Sequence, residues 1–459
     1  MGYYLLSYSI IVNIILSGTL ICSKWTNKSA SDLSWTKKAA EEAEEVASIP
    51  CSGHGLAFLD GVSDDGSPVC ECYACFTGYH CSAISRPCLA DADSGNPLFL
   101  EPFWKKHKEN SSVLVSAWHR LGYSYPVEGK MSGELQKYIF KLHELVGNAV
   151  TEGRHIVFGT GSTQLLNAAV HSLSSFSPVS PALVLVSIPY YPLYKSQTEY
   201  FETTNYKFKG DVSKWKNKTD GAQMLIEFVT SPNNPDCQLK KKVLQEGPLT
   251  RAIHDHVYYW PHYTAIPAPC DEDIMIFSIS KLTGHAGSRF GWALVKDESV
   301  YQKMKQYVSY NTMGVSHDTQ LRMLELLKVV VDEGGKKLFE FGYETMKDRW
   351  KRLNAIFSTT SRFSLQNIPP QYCTYYQRVR QPSPAYAWLK CERKEDADCY
   401  EVLKASGILG RKGRLFEAED RYVRLSLLKS KDDFELLLES IKLMLTFEHE
   451  ISHPKVSSS

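Results

Sequence analysis

Short apolar runs that alternate with amphipathic stretches constrain the fold of this 459-residue chain more than any other feature of its sequence. Five of the runs have the length of a buried strand: 155–158, 182–188, 225–229, 256–259 and 274–277. Other stretches, such as 135–149, repeat apolar side chains at helical spacing. Strands that alternate with helices and end in polar or aromatic residues predict a doubly wound, mostly parallel α/β sheet, with the functional site at the carboxyl ends of its strands.

A lysine follows the last of these runs. Lys281 comes after the run 274–277 and before a further predicted strand at 291–295. Burial at a strand end disfavours the ammonium form and lowers the lysine pKa, which leaves an amine able to bond covalently to an aldehyde cofactor. Ser278, Ser280 and Arg289 are suitable groups to hold a phosphate. The segment therefore predicts a pyridoxal phosphate site, and the alternative is a glycine-rich turn whose charges face water.

A second phosphate-binding element is predicted after the first strand. The small residues 159–163 separate that strand from a helix, and backbone N–H groups at a helix N-terminus bind anions. Gly161 and Ser162 are the candidates for these contacts. The turn has neither the dinucleotide fingerprint nor a Walker lysine, so the alternative is a strand–helix turn without a ligand.

Pyridoxal chemistry also needs an acid at the pyridine nitrogen, a group stacked on the ring and an anchor for the substrate carboxylate. Asp255, at the start of the predicted strand 256–259, is the candidate acid, and Tyr191 is the candidate for stacking. Tyr258 and Asn234 can hydrogen-bond the phenolate oxygen, and Arg424 can bind the carboxylate. Each has a structural alternative, such as a turn, a core aromatic or an ion pair. Their order along the chain favours the functional interpretation.

The N-terminal part of the chain predicts entry into the secretory pathway. Residues 1–23 form an uncharged apolar segment, which is either a signal peptide or an uncleaved membrane anchor. Acceptor triplets for N-glycosylation begin at Asn27, Asn110 and Asn217. The expected destination is the endoplasmic reticulum, the vacuole or the outside of the cell.

Half of the chain's 12 cysteines are concentrated after this segment, at Cys51, Cys70, Cys72, Cys75, Cys81 and Cys88. The residues between them are too poor in apolar side chains to form a core, so three disulfides are the expected source of stability. A zinc site is the alternative, because two of these cysteines have ligand-like spacing. Spacing alone does not give the disulfide connectivity.

The remaining chain divides by composition into an enzyme-like large domain and a smaller α+β domain. Cys391 and Cys399 lie in a polar, hairpin-like stretch and can form a local disulfide, whereas Cys237, Cys270 and Cys373 have no obvious partner. A net charge of +1 and the lack of a basic run give no reason to expect nucleic-acid binding, and we expect no metal site. The expected boundaries are 1–23 for the signal or anchor, 35–90 for the cysteine-rich module, 91–124 for an arm of the small domain, 125–340 for the large domain, 341–450 for the small domain and 451–459 for a disordered tail.

Several motifs in this order resemble the fold-type I aminotransferases, and more closely the plant alliinase and tryptophan aminotransferase-related family. The motifs are Ser231-Pro232-Asn233-Asn234-Pro235, Val257-Tyr258-Tyr259-Trp260-Pro261-His262-Tyr263, the stretch 280–297 and Arg421-Tyr422-Val423-Arg424-Leu425-Ser426. The cysteine-rich stretch is similar to an EGF-like module. One departure is Cys237, which stands where the family usually has glycine.

The resemblance implies a fold-type I pyridoxal phosphate-dependent enzyme, with an N-terminal EGF-like module, that forms a homodimer. It implies the disulfides Cys51–Cys70, Cys72–Cys81, Cys75–Cys88 and Cys391–Cys399. It further implies that Tyr123 reaches the cofactor phosphate of the partner subunit and that Ser94 and Gly95 close over the substrate carboxylate. In the family, Lys281 holds the cofactor and then removes the α-proton of the substrate.

Two reactions are compatible with these residues. The first is transamination of an L-amino acid, expected to be aromatic, such as tryptophan to indole-3-pyruvate with pyruvate or another 2-oxo acid as acceptor, a step of the auxin-biosynthesis type. The second is alliinase-type C–S lysis of an S-alkyl-L-cysteine sulfoxide to a sulfenic acid, pyruvate and ammonia. A third alternative is a secreted binding protein with an inactive enzyme domain, but the intact set of candidate residues argues against it.

Overall fold

The computed structural model describes residues 34–126, 129–179, 181–216 and 223–452. The apolar segment 1–23, the acceptor asparagines Asn27 and Asn217, and the tail after residue 452 lie outside the described residues. The chain divides into two compact units, the first ending at Pro87 and the second beginning at Cys88. Among the described residues, no helix combines the length and the apolar character needed to cross a membrane.

The first unit contains one helix and two small sheets. Helix α1 and strands β1–β4 are Ser34–Ala47, Gly55–Val62, Pro68–Cys72, Phe76–Thr77 and Ala83–Ile84. Strands β1 and β2 pair antiparallel, as do β3 and β4. Cysteines form the small core of this unit, because Cys51, Cys70 and Cys81 are buried together.

The disulfides agree with the predicted connectivity. The bonds Cys51–Cys70 and Cys72–Cys81 are present in the first unit, and Cys391–Cys399 is present in the second. Cys75 and Cys88 are disulfide-bonded as well. The alternative of a zinc site at these cysteines is therefore wrong. Cys391 ends a strand and Cys399 begins a helix, and both are buried, so the predicted polar hairpin around them is also wrong.

The second unit is built around a seven-stranded sheet. The elements up to the end of this sheet are β5 (Ala90–Asp91), α2 (Glu101–Lys106), α3 (Lys108–Ser111), α4 (Gly133–Val146), β6 (His155–Gly159), α5 (Ser162–Ser174), β7 (Ala182–Val186), α6 (Leu193–Tyr200), β8 (Tyr206–Asp211), β9 (Leu225–Thr230), β10 (Thr250–Asp255), β11 (Ile274–Ser278), α7 (Ile279–Leu282) and β12 (Gly291–Val295). The strand order is β6-β12-β11-β10-β9-β7-β8, and only β12 runs antiparallel to its neighbours. The predicted doubly wound, mostly parallel sheet is confirmed.

Alternate side chains of this sheet enter two different cores, which explains the continuous apolar runs in the sequence. Ile156 and Phe158 of β6 pack in one core, and Val157 between them packs in the other. Helix α4 covers the first face through Leu135, and helix α5 covers the second through Leu165. A strand buried on both faces needs an apolar residue at every position.

The rest of the second unit consists of long helices and a four-stranded antiparallel sheet, in the order β13-β16-β19-β18. The elements are α8 (Glu298–Thr312), α9 (His317–Val331), α10 (Lys336–Phe357), β13 (Phe363–Leu365), β14 (Gln371–Cys373), β15 (Arg378–Arg380), β16 (Tyr386–Cys391), α11 (Cys399–Ala405), β17 (Ile408–Leu409), β18 (Arg411–Lys412), β19 (Tyr422–Ser426) and α12 (Lys431–Ser452). The smaller α+β part is thus present. Helix α12 continues to Ser452, two residues into the predicted tail.

The predicted strand 256–259 is wrong in its position. The strand is β10, which ends at Asp255 instead of beginning there. The run His256-Val257-Tyr258-Tyr259 misled the prediction because it is buried, although it belongs to the connection that follows the strand. The error does not displace Asp255 from the sheet edge at which the other candidate residues lie.

Candidate active site

A cavity of about 240 Å³ lies at the carboxyl ends of the strands of the large sheet. It brings together most of the candidate residues, although their elements are distant in sequence. The predicted residues that line it are Gly95, Ser162, Tyr191, Asn234, Asp255, Tyr258, Ser278, Ser280, Lys281, Arg289 and Arg424. The doubly wound topology explains this convergence, because parallel strands deliver their carboxyl ends to one edge.

Lys281 lies in the short helix α7, directly after β11. The Ser278 hydroxyl caps this helix by accepting the backbone N–H of Ser280 at 3.1 Å. The hydroxyl of Tyr263 donates to the Lys281 carbonyl at 3.0 Å and fixes the backbone there. The Lys281 amine donates to the carbonyl of Gly95 at 2.5 Å. The lysine is therefore held at both its backbone and its amine.

The surroundings of Lys281 disfavour its charged form. Burial, followed by the positive charges of Arg424 and Arg289, lowers the pKa of Lys281 from 10.5 to about 7, and only Asp255 opposes the shift. A substantial fraction of this amine is therefore neutral near pH 7, which is the state that attacks an aldehyde and accepts a proton.

Asp255 is a buried carboxyl group on the same cavity. One of its oxygens accepts the hydroxyl of Tyr194 at 2.7 Å, and the other accepts the backbone N–H of Val257 at 3.2 Å. Burial raises the pKa of Asp255, and these two hydrogen bonds oppose the rise. A buried carboxylate of this kind is a fitting partner for a pyridinium nitrogen, because a cationic ligand would replace the water it has lost.

Two polar clusters lie at the cavity. Gly161, which has a φ of +79°, precedes helix α5, and an added Cβ would lie 2.5 Å from the Arg289 guanidinium. The N-terminus of a 13-residue helix and an arginine thus approach the same point, as a phosphate requires. The Ser280 hydroxyl accepts that of Ser278 at 2.9 Å nearby.

The second cluster surrounds Arg424 of β19, which is 1% exposed. Its guanidinium donates to the Asn234 side-chain oxygen at 2.9 Å and to the Asp93 carbonyl at 2.6 Å. It stacks 4.0 Å from the centre of the Tyr386 ring, and its Nε has no partner among the described residues. A buried arginine with an unsatisfied donor is suited to bind a carboxylate. Because Asn234 accepts through its oxygen, its amide N–H groups stay available to a phenolate.

Three predicted residues, Ser94, Tyr123 and Gly161, are not among the described residues that line the cavity, although Gly161 directly precedes Ser162, which does line it. The Ser94 hydroxyl instead accepts the backbone N–H of Asn96 at 3.2 Å. Tyr123 is 75% exposed and lines a separate depression beside the end of α8 and the start of α9. Its predicted contact with a partner subunit stays a prediction. Asn110 is exposed, and its glycosylation stays a prediction too.

The sequence prediction missed six polar side chains that line the cavity: Asn96, Thr163, Tyr194, Thr230, Tyr386 and Arg411. Tyr194 follows Tyr191 by three residues, a spacing that places both on one side of a helical turn, so this residue could have been found. The hydroxyl of Tyr386 lies 2.5 Å from that of Tyr258. Tyr386 and Arg411 come from the small sheet, and their sequence context carries no comparable signal.

These residues fit pyridoxal phosphate. The chain supplies a lysine of lowered pKa, a buried carboxylate, a glycine-lined phosphate position and a buried arginine with a free donor around one cavity. The fold and the site together define a fold-type I pyridoxal phosphate-dependent enzyme.

Comparison with known proteins identifies the family within this class. The chain matches the allinase family model over residues 90–445 and the alliinase EGF-like domain over residues 34–88. The chain therefore belongs to the alliinase family, which uses pyridoxal phosphate, and its N-terminal unit is an EGF-like module.

Relatives in this family carry two kinds of name. The chain is 52% identical to tryptophan aminotransferase-related protein 3 of Arabidopsis thaliana, with 97% of each chain covered. It is 47% identical to alliin lyase 1 of Allium sativum, over 95% of this chain and 91% of the relative. Among solved structures, the aspartate aminotransferase of Rhizobium meliloti is similar in fold, with a TM-score of 0.58 at 18% identity over 78% of this chain and 91% of that chain.

Proposed function

We propose that this protein is an aminotransferase that transfers the amino group of an aromatic L-amino acid, such as tryptophan, to a 2-oxo acid such as pyruvate. The observation that carries the proposal is the lowered pKa of Lys281, about 7, in a cavity that also holds Asp255 and Arg424. These three groups are the ones that proton transfer at the α-carbon of an amino acid requires.

Arg424, Asp255 and Lys281 each have a separate role in the proposed reaction. Arg424 binds the substrate carboxylate and so directs the α-carbon toward Lys281. Bound pyridoxal phosphate supplies an electron sink for the negative charge that develops at the α-carbon, and Asp255 maintains that capacity by keeping the ring nitrogen protonated. Lys281, as a neutral amine, would remove the α-proton and hold it for return, and the amino group given up by the substrate would pass to the acceptor 2-oxo acid.

The preference for an aromatic side chain is supported by the cavity wall. Tyr191, Tyr258 and Tyr386 all line it, and flat rings of this kind stack on planar ligands. The name of the 52% identical Arabidopsis relative points in the same direction. With tryptophan as the donor, the product would be indole-3-pyruvate, as in an auxin-biosynthesis type step.

A second candidate function is C–S lysis of an S-alkyl-L-cysteine sulfoxide. It is favoured by the Gly95 carbonyl, which accepts from the Lys281 amine and brings the predicted carboxylate-closing segment against the catalytic lysine. The alliin lyases of Allium at 46–49% identity support it as well. In that reaction Lys281 removes the same α-proton, but a sulfenate leaves from the β-carbon before any proton returns.

One experiment separates the two reactions. The purified holoenzyme is incubated with tryptophan plus pyruvate, and separately with alliin without a 2-oxo acid. An aminotransferase forms indole-3-pyruvate and alanine in equal amounts and releases no pyruvate from alliin. Pyruvate and ammonia from alliin alone, without alanine formation in the first reaction, would contradict the proposal. Lys281→Ala is the control, since it must abolish either reaction and the near-visible absorbance of the bound cofactor.

The cellular route and the assembly belong to the same proposal. We place the protein in the secretory pathway, and the disulfides of the N-terminal unit and of Cys391–Cys399 support this because such bonds persist in oxidising compartments. We also propose a homodimer in which Tyr123 reaches the partner's cofactor. Its 75% exposure in the single chain leaves it available for such a contact.

A further inference from the structure

A second cluster of chemically reactive side chains lies outside the candidate active site. His256, Cys270 and Glu272 present one ring nitrogen, one sulfur and one carboxylate oxygen within 4.8 Å of one another. His256 directly follows Asp255 at the end of β10, while Cys270 and Glu272 precede β11. None of the three lines the cavity that holds Lys281, so the cluster is separate from the proposed reaction.

The hydrogen bonds of His256 fix which ring nitrogen is available. Its Nδ1 lies 2.9 Å from the carbonyl oxygen of Ser231, and a carbonyl oxygen can only accept, so Nδ1 carries a proton. Its Nε2 lies 3.4 Å from a Glu272 carboxylate oxygen. In the neutral ring, Nε2 directs a lone pair at an acceptor, and this contact is favourable only when a cation lies between the two atoms. That cation is either a proton or a metal ion.

The arrangement resembles the way proteins prepare histidine as a metal ligand. A ligating histidine usually donates its other N–H to a carbonyl or carboxylate, which sets the tautomer and the ring orientation. Ser231 performs this function for His256. The ring is held in place by burial, since His256 is 1% exposed, while Cys270 and Glu272 are partly exposed and leave a path for entry.

The neighbouring groups also favour a cation at this position. The Glu272 carboxylate, 3.4 Å from the His256 ring, supplies negative charge at this position. The guanidinium of Arg154 is already bound to Asp271 and to the Glu272 carbonyl. The Tyr259 hydroxyl, a further neighbour of Cys270, is neutral and donates to the Ala268 carbonyl at 2.8 Å. His254, 8% exposed, stacks beside His256 at 5.9 Å, and its Nδ1 has no partner among the described residues.

From this geometry we propose that His256, Cys270 and Glu272 bind a zinc ion, with a fourth position open to water. Imidazole, thiolate and carboxylate together suit Zn²⁺ better than Mg²⁺ or Ca²⁺, which prefer oxygen ligands alone. Three protein ligands and one open position are compatible with tetrahedral coordination. The sequence did not predict this site because the spacing from His256 to Cys270 follows no recognised metal motif.

Zinc retention by the intact holoenzyme tests the proposal. The protein is dialysed against Zn²⁺ and then against metal-free buffer, and the bound zinc is measured by elemental mass spectrometry. The expected result is one tightly bound zinc ion per chain. Cys270→Ser and Glu272→Gln should each weaken zinc binding by more than about 100-fold, because loss of a direct ligand costs more than loss of an outer-shell partner. The matched control is Cys373→Ser, which removes a buried free thiol outside the cluster and should retain the ion.

Two further readouts keep the result unambiguous. Co²⁺ bound at the site should give tetrahedral ligand-field bands at longer wavelengths than the cofactor absorbs, and these bands should be lost in Cys270→Ser. Zn²⁺ should also slow alkylation of Cys270 in the wild-type protein, while alkylation of Cys237 stays unchanged. The proposal is overturned if no zinc is retained, or if both ligand variants retain as much as the wild type. The cluster would then be a buried histidine–glutamate ion pair.

Discussion

The lowered pKa of Lys281 can be measured directly by titrating its amine in the cofactor-free protein. An exposed lysine has a pKa near 10.5, whereas that of Lys281 is about 7. The difference of about 3.5 pH units makes the neutral fraction of Lys281 at low pH about 3,000 times that of an exposed lysine. At pH 7, about half of the Lys281 amine is therefore neutral.

The assay is competitive labelling. The cofactor-free protein is treated at a series of pH values with a trace of an amine-specific electrophile, and the labelled peptides are quantified by mass spectrometry. The peptide containing Lys281 should reach half-maximal labelling near pH 7. Peptides that contain lysines on the protein surface provide the internal reference for the labelling reaction.

A variant tests the cause of the shift. Burial is the largest contribution, and Arg424 is the largest of the contributions from charge. Arg424→Gln should therefore raise the Lys281 midpoint above 7 without bringing it to the value of the exposed lysines, because burial persists. The reasoning is refuted if Lys281 titrates together with the exposed lysines in the wild-type protein. It is also refuted if Arg424→Gln lowers the midpoint.

Three further predictions concern the phosphate position, the substrate anchor and the small domain. Gly161→Ala should weaken cofactor retention about tenfold or more in equilibrium dialysis. The reason is that a φ of +79° costs a non-glycine residue about 1–3 kcal/mol and that the new Cβ would collide with Arg289. Unchanged retention would contradict the assignment of Gly161 to the phosphate position. Arg424→Lys should raise KM for the amino acid by about 10- to 100-fold, since a charged hydrogen bond is worth about 1.5–3 kcal/mol, while the cofactor absorbance stays normal. Replacement of both Cys391 and Cys399 by serine should lower the free energy of unfolding, measured in urea, by about 2.5 kcal/mol. This is the value expected for a disulfide between residues separated by 8 positions. An equal loss of stability on replacement of the free Cys373 would argue against the disulfide as the cause.

The sequence predicted the large sheet well because the physical cause of its pattern is local. A strand buried on both faces must be apolar at every position, and the runs 182–188 and 225–229 show this without reference to the rest of the chain. The polar residues at the strand ends were then identified by the rule that parallel strands deliver their carboxyl ends to one edge. The predicted start of a strand at Asp255 was wrong because the residues after it are as buried as the strand itself, and tertiary packing, not strand pairing, buries them.

Two of the cavity residues that the sequence did not reveal come from the small sheet. Tyr386 begins β16 and Arg411 begins β18, and both reach the cavity only because that sheet packs against the large one. Nothing in the periodicity of a strand indicates which distant element it will face. Arg424 was found from its place in the order of candidate residues along the chain, while its contact with Asn234, 190 residues away, is a property of the fold.

Both proposed reactions would use the same residues at the α-carbon, which can explain why one family contains relatives named as aminotransferases and as lyases. In both proposed reactions, Lys281, Asp255 and Arg424 would act at the α-carbon and at the substrate carboxylate, and neither position depends on the substrate side chain. Other groups lie beside the Lys281 amine: an added Cβ at Gly95 would lie 2.8 Å from the Tyr386 hydroxyl and 3.5 Å from that amine. The Tyr386 hydroxyl is in turn paired with the hydroxyl of Tyr258. Since loss of a β-substituent competes with return of the α-proton, we expect substitutions at Gly95, Tyr258 or Tyr386 to change the ratio of products more than the rate of α-proton removal.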